Sequence, residues 1–342
     1  MSLQAAIAAA SAGDEIPPAL VEKAFAEIMD GKASPVQIAA LLVALRTKGE
    51  TVGEITAAAR ALRARAETAP LLDPRTVDTC GTGGDGAGTF NISTVAAFVV
   101  AGAGIPVAKH GNRAASSRAG SFDVFEALGV NADIPIGDAA RVLAEVGIAP
   151  FFARRAHPAM RFVAPVRQEL GVRTVMNCMG PLLNPMGAKR QLVGVYQLPL
   201  VETLARVLGE LGAERALVVH GEDGLDEITT TARSHAALLA GGRLTTLTID
   251  PGTFGIERVA PAALAGGDAA ENAEIARAIL VGEPGPRRDI VVLNAAAALY
   301  VAEAAPDLGA GIRLARQSID SGAAEKRLEE LIRATAAIAG RD

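Results

Sequence analysis

The sequence predicts an α/β protein: a mainly parallel sheet flanked by helices, joined to a smaller all-helical domain. Three observations carry this. Residues up to about 70 hold helix signals only. Beyond Asp73-Pro74, apolar β-branched runs lead one after another into helical stretches, without the alternation of a half-exposed sheet, so both sheet faces are expected to be covered. The 342 residues also exceed one ordinary core and suggest two domains.

Taken in order, a helix is expected from Pro17 or Pro18 to Asp30-Gly31, where the glycine suits a left-handed stop. Ser34 caps the next helix, Pro35 takes its first position and Gln37 reaches back; Ile38, Leu41, Leu42 and Leu45 share one face and Gly49 ends it. Thr51 and Glu54 form a second capping box, opening a helix through Ala57 to Ala66. Arg75 to Thr79 reads as a strand, followed by a glycine-rich loop and a helix from about Ser93 to Ala103. Ile105 to Ala108 reads as a second strand, and a further helix runs from about Ala119 to Leu128. Later strands are expected at Leu192–Tyr196, Ala216–Val219 and Ile290–Leu293, with helices at Val201–Leu211 and Ala295–Ala304.

Half the residues are hydrophobic and 21% are charged, which is ample for a packed core and unlike a disordered chain. Lys and Arg number 33 against 38 Asp and Glu; the net charge of -5 disfavours a protein that coats nucleic acid. No Trp and 3% aromatics disfavour base-stacking platforms. Two Cys make no disulfide framework. Met1 to Glu15 has no basic residue ahead of its apolar part, which argues against a secretory signal. The longest apolar run, Val95 to Ala108, has 14 residues, short of the about 20 that span a bilayer. A soluble cytoplasmic protein that binds neither nucleic acid nor membrane is expected.

The first strand leads into Gly81-Thr82-Gly83-Gly84-Asp85-Gly86-Ala87-Gly88. Without side chains, several backbone N–H groups can approach one anion, and Asn91-Ile92-Ser93-Thr94 then opens a helix whose free amides and dipole favour phosphate. Neither Gly-x-Gly-x-x-Gly nor the Walker pattern is present, so dinucleotide and nucleoside-triphosphate readings lose ground. A flexible turn with ordinary capping is the bland alternative. The second strand leads into Lys109-His110-Gly111-Asn112-Arg113 and Ala114-Ala115-Ser116-Ser117-Arg118. Consecutive loops of a parallel sheet emerge at one edge, so Lys109 is expected at the same crevice as Gly81 to Asp85. Surface solvation is the alternative for Arg113 and Arg118.

Asp226 and Glu227 stand side by side after a third strand. Such neighbours are usually solvated; beside a phosphate cradle, their hard oxygens suit Mg²⁺. His157-Pro158 begins a helix in which Phe162, Val163, Val166 and Leu170 make the buried face and Arg167 its edge. A half-buried Arg needs an anion, either a structural carboxylate or a substrate one. No pair among His110, His157, His220 and His235 has metal-ligand spacing, and Cys80 and Cys178 read as small buried residues. The implied chemistry is electrostatic rather than covalent.

In this order Gly81-Thr82-Gly83-Gly84-Asp85, Asn91-Ile92-Ser93-Thr94, Lys109-His110-Gly111-Asn112-Arg113, His157-Pro158-Ala159-Met160, Val163-Ala164-Pro165-Val166-Arg167, Gly180-Pro181-Leu182-Leu183-Asn184-Pro185 and Asp223-Gly224-Leu225-Asp226-Glu227 resemble the anthranilate phosphoribosyltransferase family over essentially the whole chain. The resemblance implies transfer of phosphoribose from 5-phosphoribosyl 1-diphosphate (PRPP) to the amine of anthranilate, the second step of tryptophan biosynthesis from chorismate. It implies a homodimer, with a helical domain of residues 1–72 plus roughly 157–185 and an α/β domain of 73–156 and 186–342. It assigns PRPP contacts to Gly81, Gly84, Asp85, Thr89, Asn91, Ile92, Ser93, Thr94, Lys109, His110, Gly111, Asn112, Arg113, Ala114, Ala115, Ser116, Ser117 and Ser121. It assigns anthranilate contacts to Gly81, Asn112 and Arg167, and two Mg²⁺ ions to Ser93, Asp226 and Glu227. Lys109 and Arg167 are the implied catalytic groups, with His110 either a proton acceptor or a positioning residue. Arg118, Phe122, Met176, Cys178 and Met179 depart from the usual pattern, with consequences expected for packing. A pyrimidine nucleoside phosphorylase, which shares Gly-Thr-Gly-Gly-Asp, and a non-catalytic nucleic-acid-binding relative are the rival readings.

Overall fold

The computed structural model describes residues 2–114 and 118–339; Ala115, Ser116 and Ser117, three of the expected PRPP contacts, lie outside the described residues. The chain opens with four helices, α1 (Ser2–Ala12), α2 (Pro18–Met29), α3 (Pro35–Lys48) and α4 (Val52–Arg63). Then come β1 (Val77–Gly81), α5 (Ile92–Gly102), β2 (Val107–Gly111), α6 (Ser121–Ala127), α7 (Ile136–Val146), β3 (Ile148–Phe152) and α8 (Ala153–Ala156). A segment of short helices follows, with α9 (Ala164–Leu170) its one regular α-helix beyond α8. The chain continues through β4 (Arg190–Gly194), α10 (Leu200–Glu210), β5 (Arg215–Gly221), β6 (Ser234–Ala240), β7 (Arg243–Ile249), α11 (Ala269–Leu280), α12 (Pro286–Val301), α13 (Leu308–Asp320) and α14 (Ala323–Ala339).

Among the described residues, seven strands make one sheet in the order β3-β2-β1-β4-β5-β6-β7. The five strands β1 to β5 are parallel, and β6 and β7 add an antiparallel edge. From β1 the chain steps outward to β2 and β3, then returns to lay β4 on the other side of β1. The switch point therefore falls between β1 and β4, where Gly81 pairs with Gly194, and that is where open parallel sheets bind ligands.

One hydrophobic core packs α5, α12 and their neighbours on a face of the sheet. The other joins α1 to α4 with Val163, Val166 and Val175 to Leu183, and runs on beneath α10 to β4 and β5. Segment 157–185 thus packs on α2 and α3 on one side and on β1 and β2 on the other.

Both capping boxes form as the sequence predicts. Glu54 does more than cap. Its side chain is 1% exposed, pairs with Lys48 at 2.8 Å and accepts the Ile16 and Thr51 N–H groups at 2.9 Å each. It ties the α1–α2 link to α4.

Several expected elements differ. Ile290–Leu293 is no strand; it lies inside α12. A short apolar run reads alike in a buried strand and a helix buried all round, and here Pro286 starts a 16-residue helix that takes in most of the separately expected helix Ala295–Ala304 and ends at Val301. β1 sits two residues later than Arg75–Thr79, and β2 starts two and ends three residues later than Ile105–Ala108, because the ladders extend into their terminal glycines; β4 sits two residues earlier than Leu192–Tyr196, in register with β1 and β5. The helix expected from His157 is broken into a 3₁₀ turn, Pro158–Phe162, and α9; Pro165 lacks the N–H a continuous helix needs there. Val163 and Val166 are buried, but Phe162 and Leu170 only partly. β3 and the β6–β7 hairpin were not anticipated.

Removing Glu54 leaves two amides without their acceptor in a closed setting and Lys48 without its counter-ion, with the Gly49 carbonyl as its remaining acceptor. Glu54→Ala should destabilise the protein by about 3 kcal/mol, read from urea midpoints; a loss under about 1 kcal/mol, typical of an exposed pair, would contradict the burial argument.

Candidate active site

The C-terminal ends of β1, β2 and β5 meet at the switch point. Two glycines make room there. A Cβ on Gly194 would sit 1.5 Å from the Asp226 carbonyl oxygen, and one on Gly81 would sit 2.3 Å from its carboxylate. Asp226 is therefore held directly over the junction of β1 and β4. Its Oδ2 accepts the Gly83 N–H at 2.7 Å, so the β5 loop clasps the start of the glycine loop. Gly83, Gly84, Gly86 and Gly88 all have positive φ, the backbone that the composition of this loop permits.

Three carboxylates gather here. Asp226 is pushed well above the usual range by desolvation, then by Asp85 and Glu227; the Asp85 and Asp226 carboxyls lie within hydrogen-bond reach of each other. Glu227 is pushed up to about 7, first by desolvation and with Asp85 adding, against the opposing pull of Lys109 and Ser93. Its Oε1 accepts the Ser93 N–H at 3.0 Å, so a carboxylate caps the first turn of α5. Asn91 does not cap this helix with its side chain. Its amide donates to the Ala119 carbonyl and accepts from Asn272 instead.

Lys109 is 2% exposed. Its ammonium donates to the Thr79 carbonyl and reaches the Ser93 hydroxyl at 3.4 Å, with Asp78, Cys80 and Glu227 around it. Desolvation lowers its pKa, and those acidic neighbours oppose the shift. Rather than projecting into open crevice, Lys109 sits beneath the rim. Asp78, fully buried and unremarked in the sequence, faces it; desolvation raises its carboxyl to about 6 despite Lys109, the Asn184 amide at 2.8 Å and the His110 N–H at 3.2 Å.

His110 and His157 touch edge to face at 5.2 Å. Nδ1 of His110 lies 3.1 Å from the Gly180 carbonyl and Nε2 of His157 lies 2.9 Å from that of Leu183. A carbonyl only accepts, so each facing nitrogen carries the proton. The opposite nitrogens, His110 Nε2 and His157 Nδ1, are buried without a partner among the described residues. Desolvation depresses His110 to about 3 and His157 to about 4. Both rings are therefore neutral near pH 7.

The remaining expected residues sort by place. Ile92 and Thr94 are buried in the first turns of α5. Thr89 forms a bridge with Ala265. Gly111 gives the Ser121 hydroxyl space at the end of β2, Ser121 reaches the Asn112 carbonyl at 3.4 Å, and Ala114 is held by Asp123. Arg113 pairs with Glu126 at 2.6 Å, and Arg118 lies 3.6 Å from Glu271 on the surface. Phe122 stacks on Phe152 with centroids 4.6 Å apart, while Met176, Cys178 and Met179 are buried with the helical core. These departures are packing residues.

Arg167 stands apart from the carboxylate cluster, on α9. It is half-buried, burial lowers its pKa, and among the described residues no carboxylate pairs with it. The structural-salt-bridge alternative thus loses its partner. Arg173, which sequence reasoning missed, does reach across: it donates to the Gly84 carbonyl and lies 4.2 Å over the Tyr196 ring. An Arg in a loop between short helices carries no sequence signal for this.

Among the described residues, no three His, Cys, Asp or Glu side chains form a cage that holds a metal unaided. The donor set still fits Mg²⁺, which commonly takes one or two carboxylates and completes its shell with substrate phosphate and water. The crowding of Asp85 and Glu227 on Asp226 raises its carboxyl, and a cation there would relieve the repulsion.

Family models place this fold in a glycosyltransferase class that combines a helical bundle with an α/β domain. Residues 73–325 match the family model described as "Glycosyl transferase family, a/b domain", and residues 4–66 match "Glycosyl transferase family, helical bundle domain". The chain is similar to the anthranilate phosphoribosyltransferase of Moorella thermoacetica, 54% identical over 96% of this chain and 97% of the relative. Its fold is similar to the crystal structure of the Thermus thermophilus protein of that name, with a TM-score of 0.91 and 43% identity, covering 97% of this chain and 99% of that one. The Saccharomyces cerevisiae protein of that name in complex with PRPP and Mg aligns with a TM-score of 0.90 and 26% identity over 98% of each chain. The chain belongs to the anthranilate phosphoribosyltransferase family.

The neutral histidines bear on stability. An unfolded histidine takes its proton as pH falls through about 6.5, whereas the folded ones resist until about 4 and about 3. Their contribution is complete above pH 6.5 and is lost on going down to about 4 for His157 and about 3 for His110; raised Asp78 acts with the opposite sign. The urea midpoint of His157→Gln should therefore fall less between pH 7 and pH 5 than that of the parent. Parallel pH profiles would contradict the buried neutral state.

Proposed function

We propose that the chain transfers the phosphoribosyl group of PRPP to the amine of anthranilate, giving N-(5-phosphoribosyl)anthranilate and diphosphate. The observation that carries this reading is the single rim network of Asp85, Asp226, Glu227, Ser93 and Lys109 around a glycine loop, in a chain of this family. A nucleoside phosphorylase or a nucleic-acid-binding relative gains no support from the relatives found.

The anthranilate amine is a weak neutral nucleophile, and positive charge builds on the ribose as diphosphate departs. The chain's work is then to align two substrates and stabilise a leaving anion. In this reading the amides of the glycine loop and the start of α5 hold the diphosphate end of PRPP, and Lys109 keeps Ser93 and Glu227 in place beneath it. Ser93, Asp226 and Glu227 hold two Mg²⁺ ions, whose chemistry is to neutralise diphosphate charge. Gly81, Asn112 and Arg167 receive anthranilate, with the guanidinium of Arg167 orienting its carboxylate. Residues 157–185 then belong with 1–72 as one helical domain, so that closure brings Arg167 over the rim and excludes water. A homodimer in the cytoplasm completes the proposal. Val36 and Val43, seven residues apart on α3 and exposed, are apolar surface suited to a second copy. No helix among the described residues is long and apolar enough to cross a membrane.

The test is loss of anthranilate fluorescence with PRPP and Mg²⁺. Arg167→Ala should raise the KM for anthranilate by about tenfold or more, the scale of a lost charged hydrogen-bond pair, and leave that for PRPP within about threefold. Equal losses for both substrates would refute the assignment of Arg167.

A further inference from the structure

We propose that Arg173 is a positioning residue for the glycine loop: from the helical side of the cleft it fixes the Gly84–Asp85 peptide in the orientation that receives PRPP. The inference rests on the phosphoribosyl-transfer reading and adds to it a residue outside the motifs that define the site.

Four observations converge on Arg173. Its backbone is pinned from α3, where the Arg46 guanidinium donates to the Arg173 carbonyl. Its own guanidinium lies 4.2 Å over the ring of Tyr196, just beyond β4. Tyr196 is itself tied to the base of the glycine loop, because its N–H donates to the Thr82 hydroxyl at 3.2 Å. Stacked there, the guanidinium donates through Nη2 to the Gly84 carbonyl and covers the face where a Gly84 side chain would project, 3.6 Å away.

The loop has need of such a hold. Its two ends are tied, by Gly83 to Asp226 and by Gly88 to Gly266. Between them, among the described residues, the Arg173 contact is the hydrogen bond that ties the backbone of residues 84 to 87 to anything outside the loop. Glycine backbones lose the most freedom on ordering, so an unanchored loop would lose binding free energy each time it closes on an anion. A peptide is planar and trans, so its C=O and N–H point in opposite directions. With the Gly84 oxygen held by Arg173, the Asp85 N–H is turned to the other side of the loop. It has no protein acceptor among the described residues and is free to meet phosphate. The same hold keeps the Asp85 carboxyl beside Asp226.

The experiment measures PRPP binding with Mg²⁺ by isothermal titration calorimetry, and KM for each substrate, in the parent protein, Arg173→Ala and Arg173→Lys, with melting temperatures as the check on folding. A charged hydrogen bond and a stacked cation together predict about tenfold weaker PRPP binding in Arg173→Ala. Lysine restores a donor but not the flat stack, so Arg173→Lys should recover part of it. The KM for anthranilate should stay within about twofold. Unchanged PRPP binding in Arg173→Ala would overturn the inference, and so would an equal loss for anthranilate, which would make Arg173 a general domain latch. A parent protein that binds no PRPP would overturn the underlying reading itself.

Discussion

Crowded negative charge at the rim of the sheet is the constraint on which the rest of the structure depends. Asp85, Asp226 and Glu227 are drawn together where β1, β4 and β5 end, in a setting dry enough to push Asp226 and Glu227 toward their protonated forms. Left alone, such a cluster would spring apart or take up protons. The fold opposes this with positive groups that cannot move away: Lys109 beneath the rim, the Ser93 amide at the start of α5, and the Gly83 amide of the loop. Asp226 and Glu227 nevertheless stay raised, and a cation at the rim would relieve the remaining repulsion.

Each supporting element follows from that demand. Gly81 and Gly194 lack side chains because Asp226 occupies the space above them. Asp78 and Asn184 sit one layer lower, tying the end of segment 157–185 to β1 and β2. The two neutral histidines close the same seam with hydrogen bonds to the Gly180 and Leu183 carbonyls. These hydrogen bonds add polar, specific ties to a joint that a shared hydrophobic core also seals.

Much of this was legible in the sequence. The glycine loop, the helix start after it, the Lys109 loop and the Asp226-Glu227 pair all announce themselves, because loops at the ends of parallel strands share an edge whatever the strand order. The capping boxes at Ser34 and Thr51 are local and were equally clear. What escaped was non-local. Ile290–Leu293 looks the same in a strand and in a helix buried on every side. Asp78 reads as an ordinary strand residue until Asn184, from 106 positions away, is seen to meet it. Arg173 acquires meaning only when Gly84 and Tyr196 are brought beneath it. Lys109 was found, but its depth was not: alternation along β2 places it on one face of the sheet without saying how tightly that face is covered.

If Asp226 and Glu227 hold Mg²⁺ for the diphosphate of PRPP, as proposed, PRPP binding should depend on divalent metal. Calorimetric titration of PRPP into the parent protein and into an Asp226→Asn/Glu227→Gln variant, each with Mg²⁺ and with EDTA, tests it directly. The parent should bind PRPP strongly with Mg²⁺ and lose that binding in EDTA, and the variant should bind weakly with no dependence on Mg²⁺. Equal PRPP affinity of the parent with and without the metal would contradict it.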